Sequence, residues 1–334
     1  MTTQQRSKGK QSQQSGQSQQ SQQSQQSGQS QQSQQTPQSL TLGAYAHRIV
    51  GEQYRQMVKH EKHVLADTDP EHLHQMRVHS RRLYTALHVF GAAIELPKAA
   101  HPKQVRSLTK ALGKLRDLDV QIAMLQTDYH PHLSQPEQGY LEMAIAALQQ
   151  KRRKALAGTR DLFSQSRYQD LKTAYETWLS APQFTPLAQV PIVAVLPDLL
   201  SPLLSTSLLH PGWLIATEAV TEDTAPTLHD LRKACKHVRY QAEFFVSFYG
   251  AQFKAWITGL KSLQDSLGSL QDIQVLLDLL ADVLPKGTEL LELRQMVQSN
   301  QQQILANWNQ TRLQHLDLAS RYQLYEMLLR PVLE

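Results

Sequence analysis

A chain of 334 residues, 40% hydrophobic and 19% charged, has enough apolar material for one large core or two small ones. Its net charge of +5 overstates the folded part, because Arg6, Lys8 and Lys10 face no acid within residues 1–40 and the remainder carries only +2. Bulk charge therefore makes no case for a polyanion partner; only the placement of the cations can. A single cysteine, Cys235, excludes an intrachain disulfide, and no apolar run reaches the length of a membrane span. The N-terminus lacks the apolar core of a signal peptide, so the cytoplasm is the expected compartment.

Residues 1–39 are almost wholly Gln, Ser and Gly, cannot bury enough apolar area to offset chain entropy, and are expected to be disordered. A first helix is predicted over Thr41–Ala66, with Arg48, Arg55, Lys59 and Lys62 along one stripe. Asp69 is the expected N-cap of the next helix, with Pro70 in its first turn. In that helix Leu73, Met76, Ser80, Leu83, Leu87 and Phe90 form a core-facing seam. About a third of a turn away lies an acid-free basic row of His74, Arg77, Arg81 and His88.

A third helix from Pro102 places Lys103, Arg106, Lys110 and Lys114 on one stripe and Val105, Leu108, Leu112 and Leu115 on its apolar face. Asp117 follows, and it is expected to bridge a core-side arginine or cap a helix, as is Asp272 later. A fourth helix runs from Pro136 past Lys151-Arg152-Arg153-Lys154, a cluster that winds around it and much of which reads as solvated surface. Repeated prolines mark residues 183–202 as a linker. The helix expected over Leu203–Ala219 has no Lys or Arg. Thr227 is the expected cap of a helix whose seam is Leu228, Leu231, Cys235, Val238, Ala242 and Phe245. Its basic row is His229, Arg232, Lys236 and Arg239. Lys254 and Lys261 retain part of a later stripe, and the last helices, Glu289–Trp308 and Leu313–Leu329, look structural.

His74 and His229 are 155 positions apart, and so are the blocks Leu112–Val120 and Leu267–Val275. Ser166–Gln169 and Ser320–Gln323 echo each other within one residue of that offset. The chain thus reads as two copies of one helical unit, too long for a solenoid repeat. Histidine, arginine three residues on, a basic pair and a later Arg-Asp-Leu-Asp-Val block together resemble the CHAD family (conserved histidine α-helical domain), from about Leu40 to the C-terminus. The resemblance implies an all-α fold, internally duplicated, of two four-helix bundles related by a pseudo-twofold. Residues 40–182 would form the first bundle and 203–334 the second. It also implies a basic central surface that binds inorganic polyphosphate, and association with polyphosphate granules.

On that reading the binding residues are His74, Arg77, Arg81, Lys103, Arg106, Lys110, Lys114, His229, Arg232, Lys236, Arg239 and Lys261, with Arg55 and Lys59. No phosphate loop, dinucleotide fingerprint, CxxC or HExxH occurs, nor the Glu-x-Glu-x-Lys strand of triphosphate tunnel enzymes, so a non-catalytic protein without a cofactor is expected. Two alternatives remain at this level. The histidines at 60, 63, 72, 74 and 79 could bind a divalent metal, although arginines crowd them. Basic stripes also suit RNA, although only Tyr84 and Tyr240 are placed to stack on bases.

Overall fold

The computed structural model describes residues 40–332; the Gln/Ser-rich tail lies outside them. The described chain is mostly helical, with one two-residue antiparallel pair and an isolated bridge between Thr41 and Pro191, so the expectation of an all-α fold holds. In chain order the helices are α1 (Leu42–Lys59), α2 (Glu61–Ala66), α3 (Pro70–Val89), α4 (Pro102–Met124), α5 (Gln135–Ser164) and α6 (Ser166–Ser180). There follow α7 (Ile192–Leu208), α8 (Ala225–Ala242), α9 (Ala251–Val283), α10 (Leu291–Ala306), α11 (Trp308–Leu316) and α12 (Leu318–Leu329). Strands β1 (Ile94–Glu95) and β2 (Gln183–Phe184) tie the loop after α3 to the segment after α6.

Local sequence explains why α3 starts where it does. The Asp69 carboxylate accepts from the Glu71 amide at 2.8 Å, and Pro70 occupies the first turn, where its missing N–H costs nothing. All six seam residues of α3 are buried, as are all six of the seam that α8 begins. The first predicted helix is instead two, broken at His60, whose ring nitrogen bonds that of His72 at 3.0 Å.

Two expectations need correction. The helix expected from Leu203 begins at Ile192, so the second half of the supposed linker is helical, with Pro197 and Pro202 inside it. Ile192, Leu196, Leu200, Leu204 and Leu208 are all buried, and that burial outweighs the backbone bonds the prolines forfeit. Thr227 is not a cap: α8 starts at Ala225, one turn after Thr221, whose amide donates to the Thr224 hydroxyl at 2.8 Å. Pro226 in the first turn allows the earlier start.

The buried side chains form two clusters, and neither is confined to one sequence half. The larger joins α1, α3 and α6 to α7, α8 and the start of α9; the smaller joins the ends of α4 and α5 to α9 and α10. Residues 155 apart meet each other across this junction. The Phe90 and Phe245 rings lie edge to face with centroids 6.0 Å apart. Glu137 accepts from the Glu292 and Leu293 amides at the start of α10 (2.9 and 3.0 Å), while Glu292 accepts from the Ser134 amide at the start of α5 (2.7 Å). Positions that echo each other in the sequence thus contact one another and cap one another's helices.

Candidate functional site

The helices α3 and α8 pack on each other and bring the two basic rows together. Arg81 crosses the junction, donating to the Tyr240 hydroxyl at 3.4 Å, and Arg82 pairs with Glu243 at 2.8 Å. Tyr240 is buried, and the Arg239 guanidinium lies over its ring at 4.4 Å. Arg239 is fixed further by the Gln264 side chain (3.0 Å) and by Glu243.

Each half seats its central arginine on a glycine of the following helix. A Cβ on Gly113 would lie 3.4 Å from Arg77 Nε, and one on Gly268 only 2.9 Å from Arg232 Nη2. The missing side chains let both guanidiniums lie flat against the helix backbone. Gly113 and Gly268 belong to the repeated blocks, but nothing in the sequence reveals their role until the arginines are placed on them.

Arg77 also donates to Asp117 at 3.2 Å, so the bridge expected for Asp117 forms, to an arginine of the basic row itself. The bridge expected for Asp272 does not form: Arg232 lies against Gly268 and donates to the Gln264 carbonyl at 3.3 Å. Burial instead raises the Asp272 carboxyl above its ordinary range, against the pull of Arg232. Asp119, fourth in the Arg-Asp-Leu-Asp block, has a scaffolding role. Arg152 ties it (2.6 Å) to Asp67 (2.7 Å), so Arg152 is not the solvated surface residue expected.

Lys236 stands between Arg232 and Arg239 on α8, with Arg77 and Arg81 facing it from α3. Burial and these four guanidiniums push its amine down to about 6. Burial and Arg116 lower His74; burial, Lys233 and Arg232 lower His229; burial and Arg81 lower His237. Two buried nitrogens of the site, Arg77 Nε and His229 Nδ1, have no hydrogen-bond partner among the described residues. The result is a concentrated positive site with unfilled hydrogen-bonding capacity, held by rigid helices.

Among the other residues expected in the site, Lys103, Arg106, Lys110 and Lys114 form an exposed stripe on α4. It runs into the cluster, since Gly113 and Asp117 on the same helix touch Arg77. Lys261 is exposed on α9. Arg55 and Lys59 are exposed on α1, and Lys59 acts on His60 and His79 rather than on the central row. Arg116 and His237 belong beside the row but lie off the stripes that the spacing singled out.

The histidines divide into two places. His60, His63 and His72 group at the α1–α3 turn, with the His63 and His72 rings stacked at 4.1 Å. His79 bonds Gln53 of α1 at 2.9 Å, and burial with Arg82 pushes it down to about 4, while His74 sits apart with Arg116. Among the described residues no three His, Cys, Asp or Glu side chains converge as metal ligands. A cavity of about 950 Å³ beside Tyr249, Trp256 and Arg321 contains none of the basic-row residues. No described helix is long and apolar enough to cross a membrane.

A family model described as the CHAD domain matches residues 48–281. A crystal structure of the CHAD domain from the plant Ricinus communis is similar at 25% identity and a TM-score of 0.58, covering 89% of this chain and 96% of its own. PptA from Streptomyces chartreusis shares the fold at 15% identity and a TM-score of 0.57, covering 83% of this chain and 99% of its own. No curated protein matches the sequence.

Proposed function

The chain belongs to the CHAD domain family, and from that premise we propose that it binds inorganic polyphosphate, without catalysis, across the paired rows of α3 and α8. Polyphosphate association is a general property of the family, whose domains are generally non-catalytic. The observation that carries the reading is the crowding of Arg77, Arg81, Arg232 and Arg239 around Lys236. Such crowding destabilises the free protein, and a linear polyanion relieves it. The arginines grip phosphate oxygens through paired N–H groups, while exposed lysines follow the chain outward along α4.

In this reading the two halves are copies related by a pseudo-twofold, and the groove lies on that axis. The contacts of Phe90 with Phe245 and of Glu137 with Glu292 support it. A single-stranded nucleic acid offers the same phosphate spacing problem but needs free aromatic faces. Tyr240 is buried beneath arginines, and Tyr84 packs against His88 with ring centroids 4.2 Å apart, which favours the inorganic polymer. A cytoplasmic protein located at polyphosphate granules is the corresponding cellular picture.

The test is a titration with long-chain polyphosphate, with and without competing RNA, at two salt concentrations. Polyphosphate should displace RNA, and affinity should fall steeply with salt through counterion release. The double change Arg77→Ala and Arg232→Ala should weaken binding more than about tenfold with helical circular dichroism intact. RNA that outcompetes polyphosphate, or a double variant that binds normally, refutes the assignment.

A further inference from the structure

We propose that the outward face of α12 is a self-association surface, on which a second copy of this chain packs its own α12 antiparallel about a twofold axis.

Helix α12 is apolar on two faces, and the fold uses one of them. Leu324 and Leu328 are buried and Met327 packs against the larger core cluster. On the other side Leu318, Tyr322, Tyr325 and Leu329 are 64%, 67%, 38% and 67% exposed. At 100° per residue these four fall within about 60° of the helix surface, as one continuous stripe. Single exposed hydrophobics need no account, but these are not scattered. Of the twelve large ones exposed among the described residues, eight lie within residues 209–214 and 313–332. Those two segments meet, since the Trp213 ring stacks on His315 at 4.3 Å and Arg321 donates to the Leu208 carbonyl at 2.8 Å.

The charges beside the stripe decide against an acidic, basic or lipid partner. Each ionised side chain of the helix and its cap is already engaged within the chain. Asp317 accepts from the Ser320 amide at 2.8 Å, Arg321 Nε donates to the His315 carbonyl at 3.0 Å, and Glu326 pairs with Arg330 at 3.2 Å. A helix that lies on a membrane carries free lysines and arginines on its polar flank, and a charged partner needs a free countercharge.

The stripe matches itself. Its residues run Leu, Tyr, Tyr, Leu at steps of four, three and four, the same in both directions. Steps of three and four are those by which two helices interleave side chains, and an isologous pair needs one patch that complements its own copy. With the twofold axis passing between Gln323 and Leu324, Leu318 meets the partner's Leu329 and Tyr322 meets the partner's Tyr325. No like charges face each other there, because Glu326 falls beside the partner's Ala319 and the partner's Gln323. The exposed parts of the four side chains come to roughly 500 Å² per copy, so pairing buries about 1,000 Å² in total, the lower bound of a specific interface. The stripe shares no residue with the basic rows of α3 and α8.

The experiment uses the full chain. Sedimentation equilibrium from about 1 to 200 μM should show the mass rise from 37.9 kDa toward twice that value. Tyr322→Glu should raise the dissociation constant at least about 30-fold, with helical circular dichroism unchanged. Disulfide trapping reads the orientation. Leu318→Cys mixed with Leu329→Cys under mild oxidation should give a covalent dimer, and either variant alone should give little. Cys235 is buried, and identical positions of the two copies lie ~16 Å apart in this arrangement. A wild-type chain that keeps the mass of one copy, a dimer that survives Tyr322→Glu, or trapping by either single variant as strong as in the mixture overturns the inference. Flotation of the wild type with phosphatidylcholine vesicles that Tyr322→Glu abolishes also overturns it, because the face then meets lipid. Should Tyr322→Glu lose its helical signal, the trapping result decides alone.

Discussion

Replacing Lys236 by methionine should make the free protein more stable and the binding weaker, and the two effects can be sized separately. An ordinary lysine titrates at 10.5, and this one is pushed down to about 6. At pH 7.5 the unfolded chain keeps the ammonium while the fold gives most of it up. The gap between 10.5 and the working pH sets a ceiling of about 4 kcal/mol on what the fold loses. Partial exposure and mobile ions reduce that to about 1–2 kcal/mol. For a chain of this size Lys236→Met should raise the melting temperature by ~2–6 °C at low salt. The sign of the pH dependence is fixed. Between pH 6 and 10.5 the folded state binds fewer protons than the unfolded one, so wild-type stability climbs with pH there. The advantage of the variant is therefore largest on the acid side and closes toward pH 10.5. In parallel, polyphosphate affinity should fall several-fold and the salt slope should flatten by about 0.7. Melts across pH 6–10, paired with titrations at two salt concentrations, decide it. A variant that melts lower at pH 7.5, or an advantage that does not shrink with pH, refutes the picture of a lysine held among like charges.

Three further outcomes follow from named contacts. Gly268→Ala gains about 1 kcal/mol of helix propensity, yet its Cβ would meet Arg232 Nη2 at 2.9 Å; binding should drop ~3- to 10-fold with the melting temperature unchanged or raised, and Gly113→Ala, with its looser 3.4 Å approach, should lose less. Glu137→Ala removes the acceptors for two amides at the start of α10 and should cost about 1–2 kcal/mol, read as a lower melting temperature, with a change below about 1 °C arguing against the reciprocal caps. The α4 stripe leads into Arg77, while on α9 Asp265 and Ser269 stand where Lys110 and Lys114 stand on α4. Arg106→Ala with Lys110→Ala should thus lose more affinity than Lys254→Ala with Lys261→Ala, at about 0.5–1 kcal/mol per exposed cation, and equal losses would mean that both stripes contribute alike.

On the proposed function, the free protein and a polyanion-bound one ask different things of the same residues. A site built of guanidiniums around a lysine is poor material for a core, and the structure compensates at its edges. Asp117 pairs with Arg77 and Glu243 with Arg82 and Arg239, and Tyr240 gives Arg81 and Arg239 an aromatic face. None of these partners pairs with Lys236, and the guanidiniums around it hold its amine down.

By itself the sequence determined the helical class, both buried seams and the two basic rows. These depend on spacing along a helix, and a 3.6-residue period is a local property that tertiary contacts did not overturn. The 155-residue echo is likewise a property of residue order alone. Tertiary structure alone decided what each charge meets. Asp117 and Asp272 occupy equivalent positions, yet one pairs with its arginine and the other is buried without an ion pair. Arg152 reads as surface and instead ties Asp119 to Asp67. Pro197 and Pro202 read as breaks, but burial along α7 held the helix through them. Gly113, Gly268, Glu137 and Glu292 acquire roles only when helices distant in sequence come within a few ångströms. The reason is physical: periodicity fixes the face on which a side chain lies, whereas its partner, its solvation and hence its protonation depend on which other helix arrives at that face.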